Sequence, residues 1–284
     1  FPPHILVMTA TPIPRTLAMS IYGDLDFSII KELPPGRKQI KTYLMGENNR
    51  LRLFKFIREQ IEMGRQVFVV YPLIEESQKM DYKDLMDGYE SICREFPLPR
   101  YKVSIMHGKM KTEAKDYEMK RFLQGKSQIM VSTTVIEVGV NIPNANVMII
   151  ESSERFGLSQ LHQLRGRVGR GSDQSFCILM KGKKISKDAE LRLQTMVKTS
   201  DGFEIAEVDL KLRGPGDIAG TQQSGIIRLK IADLVKDQEI LQLARSYANI
   251  LIKNDPNLDL EENKNVRSEL NKITSNKKIW NLIS

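Results

Sequence analysis

The sequence predicts an α/β fold: a parallel sheet with helices on both faces, followed by a mainly helical C-terminal extension. Strand and helix patterns alternate between residues 40 and 180, and this alternation is typical of a doubly wound parallel sheet. Beyond residue 181 the strand patterns stop, and helical patterns separated by a glycine-rich loop replace them. The 284 residues suffice for one large or two medium domains with buried cores.

The elements are predicted from apolar periodicity and from the residues that start or end each segment. The turn-rich segment Leu33–Arg37 separates two parts of the chain and reads as a linker between domains. Strands are predicted at residues 5–8, 41–45, 66–71, 101–106, 127–132, 146–151 and 175–180. Helices are predicted at residues 15–22, 49–63, 81–96, 111–124, 160–171, 187–198 and 226–253. Residues 203–212 are ambiguous in period, and residues 255–284 form a polar tail that packs or frays.

Composition narrows the class of partner. The chain has 43 Lys and Arg against 35 Asp and Glu, a net charge of +8 and a pI near 9.3, which favours a polyanion without requiring one. Cys93 and Cys177 stand far apart, in no metal-binding spacing, so we expect no metal site and a reducing, cytoplasmic compartment. No apolar run is long enough to cross a membrane. The start, Phe1–Met8, lacks an initiator Met and a basic leader, which suggests a fragment of a longer protein.

The stretch Gln160–Gly171 is the strongest chemical signal in the chain. It carries three arginines and three glycines in twelve residues. Glycine lets the backbone approach a ligand closely, and the arginine fork matches phosphate oxygens. The stretch therefore predicts a grip on a nucleotide phosphate; the alternative is a solvated basic surface helix. Because ligands of parallel sheets bind at the carboxyl ends of the strands, we expect it to gather there with Thr133-Thr134 and Ser152-Ser153.

Three stretches, in this order and with these gaps, resemble motifs III, V and VI of superfamily 2 nucleic-acid helicases: Met8–Thr16, Ser132–Ala145 and Gln160–Gly171. Two more, Glu151–Leu158 and Asp209–Gly225, resemble the bacterial RecG family and its transcription-repair relative Mfd. An Mfd chain would continue into a further large domain, so the end of this chain favours the RecG family.

The resemblance implies two RecA-like domains that bind ATP and Mg²⁺ between them. Residues 1–30 would end the first domain, residues 31–185 would form the second, and residues 186–284 would form a helical-hairpin translocation extension. The first domain supplies a phosphate loop and an Asp-Glu box, and neither pattern occurs in this sequence; Gly125-Lys126-Ser127 is preceded five positions earlier by Lys120 rather than glycine. We therefore expect ATP and Mg²⁺ to be held mainly by a domain this chain lacks, and the chain alone to be inactive.

The resemblance also implies roles for individual residues. In motif VI, Gln163, Arg167 and Arg170 would face the nucleotide as catalytic groups, with one arginine acting as a finger on the transferring phosphoryl group. Arg165 would bind DNA or a neighbouring carboxylate. His162 would support its motif VI neighbours.

Motif V would couple the nucleotide to DNA. Thr133 and Thr134 would contact DNA, or cap the helix that follows, and Glu137 and Gly139 would lie at the ATP, with Glu137 also able to pair with a motif VI arginine. Further residues assigned to DNA contact or coupling are Thr9 and Thr11 in motif III and Arg192, Arg213 and Gln223 in the extension. Arg192 and Arg213 would share a backbone site that locks a helical hairpin.

The function implied by the resemblance is an ATP-driven translocase on duplex DNA that remodels branched DNA by fork reversal and branch migration. Its partners would be branched or duplex DNA and the upstream RecA-like and wedge domains of the same protein, and it would act as a monomer. Two alternatives remain: an Mfd-like translocase that couples repair to transcription, and a nucleic-acid-binding domain without enzymatic activity.

Overall fold

The computed structural model describes residues 6, 28, 30, 36–73, 78–133, 142–213 and 237–275. The strand predicted at residues 5–8 and the helix predicted at residues 15–22 lie outside the described residues. Within the described part, the chain divides into two compact units, one ending at Leu212 and the next beginning at Arg213. The predicted domain boundaries after residues 30 and 185 stay predictions.

Six strands among the described residues form one sheet in which every neighbouring pair is parallel. They are β1 Lys41–Gly46, β2 Gln66–Val70, β3 Val103–Met106, β4 Ile129–Ser132, β5 Ala145–Ile150 and β6 Phe176–Lys181, in the spatial order β1-β6-β5-β2-β4-β3. The predicted parallel α/β fold is confirmed. All six residues of β5 are buried, as expected for a central strand of a parallel sheet that is covered on both faces.

The described helices are α1 Arg50–Glu62, α2 Gln78–Glu95, α3 Thr112–Leu123, α4 Leu158–Arg165, α5 Lys187–Lys198, α6 Gly202–Arg213, α7 Gln238–Asn254 and α8 Lys264–Ser275. Helices α1 to α6 pack against both faces of the sheet, because successive strand residues point to opposite sides. Val67 and Val69 pack in the core formed with α1 and α2, whereas Phe68 and Val70 pack in the core formed with α3 to α6.

Two sequence predictions needed adjustment around these helices. The helix predicted over residues 160–171 ends at Arg165, because Gly166 follows and Gly169 takes a φ of +75°, which favours glycine and stops helical propagation. The ambiguous stretch 203–212 is helical. The Asp201 carboxylate caps α6 by accepting a hydrogen bond from the Phe203 amide at 2.8 Å.

Of the polar tail, residues 255–275 are described and contain a turn and a helix. A turn between α7 and α8 is built on Asp255, whose carboxylate accepts hydrogen bonds from Asn263 Nδ2 at 2.8 Å and from the Asp259 and Leu260 amides, each at 2.9 Å. The Asn263 contact and these amides lower the pKa of Asp255, since each stabilises the carboxylate form. One aspartate thus fixes the connection between the last two described helices.

Candidate functional site

The arginine loop, residues 166–171, follows α4 and is held in place by its glycines. Arg37 Nε donates a hydrogen bond to the Gly169 carbonyl oxygen at 2.7 Å. A Cβ at Gly169 would lie 3.0 Å from the Ile40 side chain, and one at Gly171 would lie 3.1 Å from the Pro143 carbonyl oxygen. A side chain at either position would force its neighbour to shift, and Gly169 also has a φ of +75° that favours glycine.

The path of the loop exposes the arginines to different degrees. Arg170 is exposed, and Arg167 is half-buried. Gln163, one turn earlier in α4, is also half-buried. The loop therefore presents a guanidinium group with five donors to solvent, next to a half-buried amide. This donor set suits phosphate oxygens.

The arginine loop lies at the amino edge of the sheet. Its contacts, Arg37, Ile40 and Pro143, come just before β1 or β5. The expectation that the arginines would join Thr133 and the 152–153 serines at the carboxyl edge is wrong. The reason is that α4 begins after β5 at the carboxyl edge and returns antiparallel to the strands, which carries its C-terminal end to the opposite edge.

Arg165 behaves differently from the arginines that follow it. It is 3% exposed, and its Nη1 donates to the carbonyl oxygens of Met196 at 2.8 Å and Thr199 at 2.9 Å. It thus reaches the end of α5, whereas the sequence suggested a contact with DNA or a carboxylate. Burial lowers the pKa of Arg165. Burial, and next the Arg165 charge, lower the pKa of His162 to about 4, so His162 is neutral at physiological pH.

Three buried polar atoms without hydrogen-bond partners lie at the carboxyl edge, where β3 and β4 end: Ser132 Oγ, Thr133 Oγ1 and His107 Nδ1. Thr133 is 2% exposed, and its amide donates to the Met106 carbonyl oxygen at 3.2 Å. Its Oγ1 has no hydrogen-bond partner, and neither has the buried Nδ1 of His107. A buried polar atom left without a partner costs about 1–3 kcal/mol, and such atoms cluster where a ligand binds.

The segment between β5 and α4, which we call the junction segment (Glu151–Arg155), contains two glutamates, Glu151 and Glu154, to which the sequence analysis assigned no role. Glu151 is 4% exposed and contacts the Arg50 guanidinium at two points, one of them Oε2 to Nη2 at 3.0 Å. Burial raises the pKa of the Glu151 carboxyl, and the contact with Arg50 opposes this rise. Burial also raises the pKa of Tyr71, with the Glu151 charge adding to it. The sequence signal for this buried ion pair is a glutamate, Glu151, directly after the apolar strand β5.

The rest of the junction segment joins three further elements. Ser153 Oγ donates to the Met180 carbonyl oxygen in β6 at 2.8 Å. The Glu154 carboxylate accepts from the Gly182 amide at 3.2 Å. Arg155 lies 3.6 Å from an Asp84 carboxylate oxygen of α2. Consecutive residues are thus anchored to different parts of the domain.

Arg192 is the one extension residue whose predicted contact can be examined. Its Nη2 donates to the Glu154 carbonyl oxygen at 3.0 Å, and its Nε is buried without a partner. Arg192 thus contacts a backbone carbonyl of the junction segment, whereas the site that it would share with Arg213 stays a prediction. The remaining predicted site residues lie outside the described part of the chain, either entirely or by their side chain: Thr9, Thr11, Thr134, Glu137, Gly139, Arg213 and Gln223.

Neither a metal-binding cluster nor a membrane-spanning helix occurs among the described residues. No three or more His, Cys, Asp or Glu side chains come together in a group that could hold a metal ion. No helix is both long and apolar enough to span a membrane.

Comparison with known proteins identifies two regions of the chain. Residues 50–172 match the helicase conserved C-terminal domain, and residues 199–284 match the C-terminal part of domain 3 of the ATP-dependent DNA helicase RecG. The RecG of Synechocystis is 50% identical over 257 residues, which cover 90% of this chain and 31% of that protein. The Bacillus subtilis RecG is 49% identical over 253 residues, which cover 89% of this chain and 37% of that protein.

A solved structure of RecG bound to a three-way DNA junction superposes with a TM-score of 0.63 at 45% identity, covering 82% of this chain and 30% of that one. The chain spans about a third of the length of the curated relatives it matches. These matches do not support the Mfd-like or the non-enzymatic alternative. The chain belongs to the RecG family of ATP-dependent DNA helicases and matches the C-terminal helicase region of its relatives.

Proposed function

We propose that this chain supplies one half of a composite ATP site, together with DNA-contacting and coupling elements, in an ATP-driven translocase on duplex DNA. The proposed substrates are branched DNAs, remodelled by fork reversal and Holliday junction branch migration. Relatives that are about half identical are named ATP-dependent DNA helicases, which supports the activity. The observation that carries the proposal is the arginine loop, which is fixed at Gly169 yet leaves Arg170 exposed.

In the proposed nucleotide site, Arg170 and Arg167 hold the phosphates and Gln163 orients them. A guanidinium at this position stabilises the negative charge that builds up on the transferring phosphoryl group. When ATP and Mg²⁺ are bound, they supply the phosphoryl group and the neutralising metal charge. We assign the metal to acidic residues of an upstream domain, and we assign Glu137 and Gly139 of this chain to the nucleotide.

For DNA, the proposal rests on the carboxyl edge of the sheet. The Thr133 hydroxyl and His107 Nδ1 lack protein partners and can each bond to a phosphate oxygen or a bridging water. Lys109 Nζ lies 4.3 Å from the Tyr82 ring centroid and adds positive charge to this edge. The further DNA-contacting or coupling residues that we propose are Thr9, Thr11, Thr134, Arg192, Arg213 and Gln223. Backbone contacts of this kind make affinity steeply dependent on salt.

The proposed setting follows from this chemistry. The chain would work as a monomer in the cytoplasm, joined to an upstream RecA-like domain that holds ATP and to a wedge domain that recognises the branch. Duplex or branched DNA would be its macromolecular partner. The basic balance of the sequence, with a net charge of +8, supports a polyanionic partner.

The test uses the full-length protein. Replacement of Arg170 by Ala is expected to lower fork-stimulated ATP hydrolysis by about 10³-fold, the loss typical of a missing arginine finger. Arg170→Lys is not expected to restore activity, because lysine lacks the planar fork. Arg121→Ala is the matched control, since Arg121 lies on α3 and pairs with Glu118 at 2.9 Å. Unchanged hydrolysis in Arg170→Ala would overturn the assignment.

A further inference from the structure

Arg165 joins two helix ends that are distant in the sequence. It is the last residue of α4, and both of its carbonyl acceptors belong to the end of α5 or to the residue just beyond it. Carbonyls at helix C-termini carry negative partial charge, so the buried guanidinium is compensated by backbone dipoles. Among the described residues, no carboxylate forms an ion pair with it.

The consecutive helices α5 and α6, joined by the bend Thr199–Asp201, are called the α5–α6 hairpin. Of the two acceptors of Arg165, the Met196 carbonyl oxygen lies in the last turn of α5 and the Thr199 carbonyl oxygen lies in the bend. Two local hydrogen bonds shape the bend: Thr199 Oγ1 accepts from the Asp201 amide at 3.0 Å, and the Asp201 carboxylate accepts from the Phe203 amide at 2.8 Å. Farther from the bend, the Ser159 hydroxyl lies 3.3 Å from an Asp209 carboxylate oxygen of α6. Arg165 therefore binds the α5–α6 hairpin near its bend through two hydrogen bonds.

The same residue is tied to the arginine loop. The Gly166 amide donates to the His162 carbonyl oxygen and the Arg167 amide donates to the Leu164 carbonyl oxygen, each at 3.0 Å. These bonds continue the end of α4 into the loop, so a displacement of Arg167 moves the backbone of Arg165. Arg165 thus stands between the loop that faces the nucleotide in the proposed function and the bend of the hairpin.

Packing alone does not require a buried arginine at this position. Burying a charge costs free energy unless it is fully bonded, and an apolar residue of similar volume often stabilises a core at least as well as a buried ion. What the guanidinium adds is a directional contact with two carbonyl oxygens. Through that contact, a displacement of the end of α4 would also displace the bend of the hairpin.

We propose that Arg165 is a positioning residue that transmits movement of the arginine loop to the α5–α6 hairpin. This inference rests on the proposed function. Arg165 touches neither nucleotide nor DNA. Its role is to couple ATP turnover to movement on DNA.

The test measures coupling, which a merely structural role does not change. In the full-length protein, Arg165→Met is expected to leave DNA-stimulated hydrolysis within about twofold while the base pairs displaced per ATP fall about tenfold, within the range of typical coupling free energies. Arg165→Lys is expected to recover part of the ratio, because lysine keeps donors but not the fork. Arg121→Met is the matched control. An unchanged ratio of base pairs to ATP would overturn the inference.

A second measurement starts from the unaltered protein and uses Arg165→Lys only for comparison. Amide hydrogen exchange of the unaltered full-length protein is recorded with and without a non-hydrolysable ATP analogue. Exchange at the bend amides, Thr199 to Phe203, is expected to change together with exchange in the arginine loop, and Arg165→Lys is expected to weaken the change at the bend. If exchange changes in the arginine loop but not at the bend, the inference about Arg165 is overturned while the proposed function stands. Absence of DNA-stimulated hydrolysis from the unaltered protein would instead overturn the proposed function.

Discussion

Glu151 and Arg50 form a two-point ion pair that ties the exit of β5 to the first turn of α1. The Glu151 side chain is 5% exposed and that of Arg50 is 29% exposed. Removing one member of such a pair leaves a buried charge without compensation. We therefore expect Arg50→Met to lower the free energy of unfolding by about 2–4 kcal/mol.

The double variant Arg50→Met with Glu151→Met tests the reason for that loss. It is expected to be more stable than either single variant, because no uncompensated charge remains. Urea denaturation of all four proteins gives the comparison. If the losses of the two single variants simply add in the double variant, the explanation by pairing fails.

Gly88 allows α2 to approach Tyr71 closely. A Cβ at Gly88 would lie 2.1 Å from the Tyr71 hydroxyl oxygen and 2.3 Å from the ring carbon that bears it, so the ring must move. Gly88→Ala is expected to destabilise the protein by about 1–3 kcal/mol, the usual cost of overpacking, despite the better helix propensity of alanine. The control Gly46→Ala has no atom within 4 Å of the new Cβ. Thermal unfolding that ranks both variants equally would contradict this explanation.

His162 makes stability depend on pH. Its pKa falls from 6.5 to about 4 on folding, chiefly through burial. A base with a depressed pKa contributes stability that is present above its unfolded pKa of about 6.5 and is lost as the pH falls toward 4. His162→Gln should therefore reduce the loss of stability between pH 7 and 4.5 by about 1–2 kcal/mol, after discounting for partial exposure. Parallel curves of unfolding free energy against pH for the variant and the unaltered protein would rule this out.

The isolated chain is expected to lack ATP hydrolysis. Its sequence contains no phosphate-loop pattern and no Asp-Glu box, and arginines alone position no attacking water. The measurement is release of phosphate with and without forked DNA, compared with the full-length protein. Turnover by the isolated chain that depends on Arg170 would contradict the idea of a half-site.

The sequence predicted the sheet well because its strands are short apolar runs. Gln66–Tyr71 and residues 127–132 are bounded by glycine or polar residues, so their ends are visible. The position of the arginine loop was predicted wrongly because strand order and the return of α4 across the sheet are properties of the folded chain. Arg165 and Arg170 look alike in sequence. Arg165 is buried and bonds to the carbonyl oxygens of Met196 and Thr199, more than thirty residues away, and such a contact is not visible in the sequence.

The placement of the arginine loop and Thr133 at opposite edges of the sheet limits how they communicate. A strand of four residues such as β4 is about 13 Å long, which exceeds the Debye length of about 8 Å at physiological ionic strength. Exposed charges at the two edges are therefore largely screened from each other by salt. Phosphate contacts made by exposed side chains at one edge should thus respond to salt independently of those at the other edge.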